Sequence, residues 1–292
     1  MTDPLSATLA HAVDAMAPAV VRVSGESSPA TGLAWGNDLV LTAATDDEGA
    51  LAVTDAEGRD RPAERAGRDA GTGIEVLRVA GLGLTAPPMA DVSALKVGHL
   101  ALALARPGKS ARATFGMITT LGDEWRTRTG ARIDRYIDTS IVLPGEFGST
   151  AIIADTSGAL IGFGLTGRRH HRGIIVTPAT LTRAVESATR EGGGQRPYLG
   201  IATYPVRIPR AQRTPTGQER GLLVVEVEDD SPAARAGLTL GDVVLAFGGV
   251  PVEHIADLFA ALADARPAAA VTARTLRGSD VRDVVVTVGT RP

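Results

Sequence analysis

From Ala19 onward the chain is a succession of short apolar runs, each broken within a few residues by Gly, Asp, Asn or Pro. Ala19–Val23, Leu39–Ala43, Leu51–Asp55, Ile74–Val79, Leu100–Ala105, Thr114–Thr120, Thr150–Asp155, Ala159–Leu165 and Ile174–Thr177 are each too short for a stable helix but long enough for a strand. Many short strands at close spacing predict a mainly β fold, a barrel or sandwich, rather than a sheet alternating with helices. Only two segments in this part read as helical. Residues 6–16 space Leu9, Val13 and Met16 weakly, and Ala179–Arg190 puts Leu181, Ala184, Val185 and Ala188 on one face.

After that helix, Glu191-Gly192-Gly193-Gly194-Gln195-Arg196-Pro197 reads as a flexible linker ending where proline restores order. Beyond it lies a smaller α+β unit. Strand-like Tyr198–Thr203 leads into a Pro- and Arg-containing insertion over 205–218. Strands follow at Leu222–Val227 and Val243–Phe247, then a helix at Ile255–Ala265 and strands at Ala270–Arg274 and Val281–Val288. The expected division is 1–190, a linker at 191–197, and 198–292.

Composition narrows the function classes. Apolar residues are 44% of 292, enough for packed cores, but aromatics are only 3%, so those cores must rest on Val, Ile, Leu and Ala. A net charge of −3 gives no general attraction to nucleic acid or an anionic membrane. The absence of cysteine removes disulfides, thiol catalysis and thiolate metal sites. His170 and His171 form a pair with no third ligand, so no metal or cofactor is expected. Met1–Leu5 has no basic region followed by an apolar core, and no apolar run approaches about 18 residues. From the sequence alone, a cytoplasmic protein is expected.

Ser231-Pro232-Ala233-Ala234-Arg235-Ala236-Gly237-Leu238-Thr239-Leu240-Gly241-Asp242-Val243-Val244-Leu245 is the most specific motif. Ser231 and Pro232 suit the N-cap and first position of a short helix, Gly237 its left-handed end, and Gly241-Asp242 a turn into a strand. The run resembles the signature of bacterial PDZ domains. Tyr198-Leu199-Gly200-Ile201 is similar to the carboxylate-binding loop of HtrA-type PDZ domains. The resemblance implies that amides of this loop capture a C-terminal carboxylate while the next strand pairs with the ligand main chain. On the helix, Ile255, Leu258, Phe259 and Leu262 share a stripe that is mostly core, with Phe259 or Leu262 facing the groove. The partners so implied are peptides or protein C-termini with apolar terminal residues, not nucleic acid or membrane.

Val40-Leu41-Thr42-Ala43-Ala44-Thr45 resembles the strand and turn that carries the histidine of trypsin-like serine proteases. Pro144-Gly145-Glu146-Phe147-Gly148-Ser149 and Asp155–Phe163 resemble the nucleophile loop and the hairpin behind it. With Pro18–Val21, Leu95–Gly98, Gly116–Thr119 and Val176–Pro178 in the same order, the likeness to the HtrA family runs over nearly all of residues 10–290. It implies a chymotrypsin-like double β-barrel followed by a small α+β PDZ domain. The positions matching histidine, aspartate and serine carry Thr45, Gly73 and Phe147. None of these side chains can act as base, orienting carboxylate or nucleophile. The chain is therefore expected to be a catalytically inactive homologue that binds peptides as a scaffold, adaptor or regulator, with Phe147 either plugging the substrate pocket or merely occupying a vacated position. Two alternatives stand beside this: an active serine endopeptidase with a displaced site, for which Ser149 and Thr150 are the nearest hydroxyls, or a structural subunit with an occupied PDZ groove. Residues 1–34 contain no Phe, Tyr or Trp, which argues against the aromatic-mediated trimer common in that family while leaving other oligomers open.

Overall fold

The computed structural model describes residues 3–25, 29–44, 49–69, 71–127, 131–143, 150–165, 174–190, 196–265 and 268–291. They fall into two compact units, one of 1–125 with 133–194 and the other of 126–132 with 195–292. Most of the expected Gly-rich linker lies outside the described residues.

The first unit opens with α1 (Pro4–Met16), whose N-terminus is capped by the Asp3 carboxylate accepting from the Ser6 amide. Strands β1 (Val20–Ser24), β2 (Ala30–Gly36), β3 (Leu39–Ala43), β4 (Leu51–Thr54), β5 (Asp60–Asp69) and β6 (Ile74–Arg78) close an antiparallel barrel in the order β1-β2-β3-β6-β5-β4. Val21, Leu33, Leu41, Val53, Val76 and Leu77 are buried in it. β5 was not expected, because DRPAERAGRD carries six charged residues, a proline and a glycine. It forms because both its edges are paired, with β4 and with β6, while its side chains stay largely half-buried or exposed.

A second antiparallel sheet is built from β7 (Leu100–Ala105), β8 (Arg112–Gly122), β11 (Tyr136–Thr139), β12 (Thr150–Ala154), β13 (Leu160–Leu165) and β14 (Ile174–Val176), in the order β11-β8-β7-β12-β13-β14. Its end strands β11 and β14 approach each other without a ladder between them among the described residues, so the sheet is barrel-like. Short strands β9 (Trp125–Arg126) and β10 (Arg132–Ile133) pair as a separate two-stranded sheet. The alternation Leu-Ala-Leu-Ala-Leu-Ala makes β7 central. Ala101, Ala103 and Ala105 face one packed cluster with Ile118, Ile137 and Ile153, while Leu102 and Leu104 are buried on the other face. Helix α2 (Pro178–Thr189) follows β14 and packs on β5 and β13.

The two barrels are joined by a buried threonine cluster. The Thr150 hydroxyl on β12 donates to the Thr31 carbonyl on β2 (3.1 Å) and accepts from the Thr31 amide (3.2 Å). The Thr42 hydroxyl donates to the same carbonyl (3.2 Å), and the Thr31 hydroxyl accepts from the Arg106 amide (3.1 Å). Arg106 is itself buried. Its guanidinium donates to the carbonyls of Val20 (2.6 Å), Ala17 (3.0 Å) and Lys109 (2.8 Å), tying the segment after α1 to the end of β7.

The second unit contains β15 (Arg196–Tyr198), β16 (Ile201–Arg207), α3 (Arg210–Thr216), β17 (Arg220–Val227), α4 (Pro232–Arg235), β18 (Val243–Phe247), β19 (Val250–Pro251), α5 (Ile255–Asp264), β20 (Ala270–Arg277), β21 (Asp280–Thr287) and β22 (Gly289–Arg291). β16-β17-β18-β20-β21 form the main sheet, β19 pairs with β18, and β15 pairs with β22. The segment 205–218, expected as an insertion, instead belongs largely to regular elements. β16 runs through Pro205 to Arg207, and Arg210–Thr216 is helical. Proline is tolerated because β16 is an edge strand and the missing N–H is not needed by its neighbour. Leu199, Leu222, Val224, Val244, Phe247, Leu258, Leu262 and Val286 form the core.

Candidate functional site

In the first unit, β3, which leads toward Thr45, is paired with β6, which follows Gly73. β3 and β6 pair through Ala43 and Ile74, and the Ala44 amide donates to the Gly73 carbonyl (2.9 Å). Gly73 therefore sits beside the strand leading to Thr45. It occupies a turn with φ +77°, its amide donating to the Asp69 carbonyl (2.8 Å). The Asp69 carboxylate holds the turn closed by accepting from the Thr72 amide (2.8 Å) and hydroxyl (2.6 Å). Thr45, Phe147, Ser149, His170 and His171 lie outside the described residues.

Thr150 is described, and its geometry removes it as a nucleophile. The side chain is fully buried, and its proton is committed to the Thr31 carbonyl. The described histidines lie elsewhere: His11 on α1, His99 just before β7, and His254 at the N-cap of α5. Among the described residues no cluster of His, Asp and Glu is arranged to hold a metal ion, and no helix is long and apolar enough to cross a membrane.

In the second unit the motif residues come together around the segment between β15 and β16. Ser231 caps α4, its hydroxyl accepting from the Ala234 amide (3.1 Å). The first amide within that helix, from Ala233, reaches back to the Leu199 carbonyl (2.9 Å). The next carbonyl, from Gly200, accepts from the Glu228 amide (2.9 Å). Both loop carbonyls are thus engaged by the domain body, and Gly200 takes φ +78° between them. The Tyr198 hydroxyl donates to the Glu228 carboxylate, so Glu228 clamps the loop by backbone and side chain together. Glu228 escaped the sequence reading. It lies in an acidic run, Glu228-Asp229-Asp230, that resembles an ordinary solvated turn.

The remaining predicted residues divide by burial. Leu199 is core, and Ile201 packs against the core while opening the edge strand β16. On α5, which lies beside β15 and β16, Leu262 is 7% exposed and packs with Leu258, whereas Phe259 is 46% exposed. Ile255, one helical turn before Phe259, shares the exposed stripe. Asp257 fixes the start of α5 by accepting from the Glu253 (3.0 Å) and His254 (2.8 Å) amides.

The Gly241-Asp242 turn has a structural role. Asp242 is completely buried, and its carboxylate takes a two-pronged pair from Arg277 (2.7 and 2.8 Å) plus the Thr239 amide (2.9 Å). Burial pushes this carboxyl up, but the Arg277 and Thr239 hydrogen bonds outweigh that and hold it below the ordinary aspartate value.

Comparison with known proteins covers both units. Residues 30–163 match the family described as trypsin-like peptidase domain and residues 197–288 the PDZ domain. The chain is 30% identical over 243 residues to a probable periplasmic serine endoprotease DegP-like from Halomonas elongata, covering 81% of this chain and 50% of that protein. It is also 30% identical over 258 residues to the putative serine protease HhoA from a Synechocystis strain, covering 81% and 64%. The chain spans about half the length of most of the curated relatives it matches. In fold it resembles the HtrA-type protease AlgW solved with a decapeptide, at a TM-score of 0.71 and 22% identity, over 97% of this chain and 99% of that one. A serine endoprotease from Yersinia pestis superposes at a TM-score of 0.72 and 23% identity over 100% of both.

These matches correct two expectations. The reading of the chain as a non-enzyme is overturned by relatives named serine endoproteases, and Thr45 and Phe147, on which it leaned, lie outside the described residues. The cytoplasmic expectation is overturned by relatives from Halomonas elongata, Chlamydia pneumoniae and Pseudomonas putida that are named periplasmic. A missing basic segment at Met1–Leu5 carries no weight against them. Matched along both units in the same order, the chain belongs to the HtrA/DegP family, in which a trypsin-like peptidase domain is followed by a PDZ domain.

Proposed function

We propose that this chain is an HtrA-type peptide-recognition protein whose PDZ domain, residues 198–292, captures free apolar C-termini. The observation that carries the reading is the loop at Tyr198–Gly200. With the Leu199 and Gly200 carbonyls engaged by Ala233 and Glu228, the Leu199 and Gly200 amides are the loop's backbone donors left for a ligand. Beside them runs the edge strand β16, which offers main-chain pairing, and the exposed Ile255 and Phe259 supply apolar surface on α5. Fluorescence anisotropy with a labelled peptide ending in Val-Ala-Val tests this. The free acid binds, and amidation weakens it about tenfold or more, the worth of hydrogen bonds to a charged group. Equal affinity for acid and amide overturns the carboxylate-capture reading.

A second reading is favoured by the relatives named serine endoproteases: the 1–190 unit hydrolyses peptides through a displaced site. Such a site needs a nucleophile other than Phe147, and with Thr150 committed to the barrel junction, Ser149 is the hydroxyl left next to the loop. On this reading a fluorophosphonate probe labels the chain, and Ser149→Ala abolishes labelling. No labelling of the intact chain, or labelling unchanged in that variant, overturns it. The same relatives support a periplasmic location for this chain.

A further inference from the structure

We infer that the recognition groove on β16 pairs with only the last three residues of its ligand, because Pro205 ends the main-chain ladder; this rests on the C-terminus-binding reading above. The direction of every backbone group on β16 follows from its two ends. The Gly200 carbonyl accepts from Glu228 (2.9 Å), and the Ile208 amide donates to the Glu219 carbonyl (2.9 Å). The ladder shifts register between Ala202 and Thr203, but the extra residue, Val225, is on β17, so alternation along β16 is unbroken and Gly200, Ala202, Tyr204, Val206 and Ile208 point toward β17. Ile201, Thr203 and Pro205 point away from it. The partner strand agrees. Val224, opposite Thr203, commits its amide to the Asp242 carbonyl (2.7 Å) and its carbonyl to the Gly241 amide (2.9 Å), leaving nothing for Thr203.

The outward edge therefore presents an amide and a carbonyl at Ile201, both again at Thr203, and at Pro205 a carbonyl alone. A ligand strand running antiparallel, with its carboxylate at the Tyr198–Gly200 loop, sets its last residue opposite Ile201. Its third-from-last residue then lies opposite Thr203 and its fifth-from-last opposite Pro205. The first two positions pair fully. At the third, the ligand carbonyl meets the pyrrolidine ring where an amide hydrogen would otherwise be. That carbonyl finds no donor, and the ring holds the approaching chain off the edge. Affinity is then set by three residues, and ligand length beyond them carries no backbone reward.

Titration of the full-length chain with two free-acid peptides decides this. These are acetyl-Val-Ala-Val and acetyl-Ser-Gly-Ser-Val-Ala-Val, the second adding backbone but little side chain. The two bind the wild-type chain within about twofold of each other. In Pro205→Val the longer peptide gains about three- to tenfold, one restored hydrogen bond pair, while the tripeptide is unchanged. A hexapeptide that binds the wild-type chain fivefold or more tightly than the tripeptide overturns the inference and leaves C-terminus capture standing. That wild-type comparison decides even if the variant does not fold. Binding of neither peptide overturns both.

Discussion

At Gly200 the space for a side chain is already filled. A methyl group there would sit 2.2 Å from the Ser231 Cβ and 2.8 Å from the Tyr198 hydroxyl, at a φ of +78° that L side chains rarely adopt. Gly200→Ala is expected to cost about 2–3 kcal/mol and to weaken peptide binding at least about tenfold, read by thermal melts and anisotropy. Asp242→Ala tests a different kind of residue. It removes a buried carboxylate from Arg277 and Thr239, and about 2–3 kcal/mol of stability should go with it. The loss of peptide affinity should then follow the fraction unfolded rather than any contact with ligand. Gly200 was legible as part of the Tyr198–Ile201 loop and Asp242 as part of a turn into a strand, whereas the burial of Asp242 and its pair with Arg277, far along the chain, were not. Glu228 was not legible, since its clamp on Tyr198 and Gly200 depends on a register that no local pattern states.

Elements show where local preference loses to partnership. β5 reads as a polar loop, yet pairing on both edges makes it a strand, and α3 was hidden behind Pro205, Pro209 and Pro215 in a segment that reads as an insertion. β7 was legible because its strict alternation of large and small residues suits a strand packed on both faces. The first barrel carries a pH-sensitive turn between β4 and β5. Burial raises the Asp55 carboxyl, but hydrogen bonds from the Arg59 amide and guanidinium and from Arg61 outweigh it and bring the group from the ordinary 3.8 down to about 2. Because the folded value is depressed, this stabilisation is fully present above about pH 4 and is lost as the pH falls toward 2. Melts of Asp55→Asn should be less stable than wild type at pH 6 and converge with it near pH 2. A constant gap across that range contradicts the assignment. At the barrel junction, Arg106→Leu leaves the Val20, Ala17 and Lys109 carbonyls without their donor, and should cost about 2–4 kcal/mol by denaturant titration.

For the whole molecule, the two-part organisation was readable because each part carries its own signal, strand rhythm in one and the Ser231–Leu245 signature in the other. Chemistry in the first part was less readable. Thr45, Gly73 and Phe147 are three positions of a longer loop-built site, and the fluorophosphonate experiment reads hydrolysis through any other hydroxyl. The recognition half makes a sharper claim, since it names which backbone amides face a ligand and which do not. Amide chemical shifts of the isotopically labelled full chain, titrated with acetyl-Val-Ala-Val as the free acid, test it directly. Gly200, Ile201 and Thr203 are expected to shift most, while Ala202 and Tyr204, directed toward β17, move little. Shifts centred on β21 or on the first unit, with Gly200 and Thr203 unmoved, would contradict it.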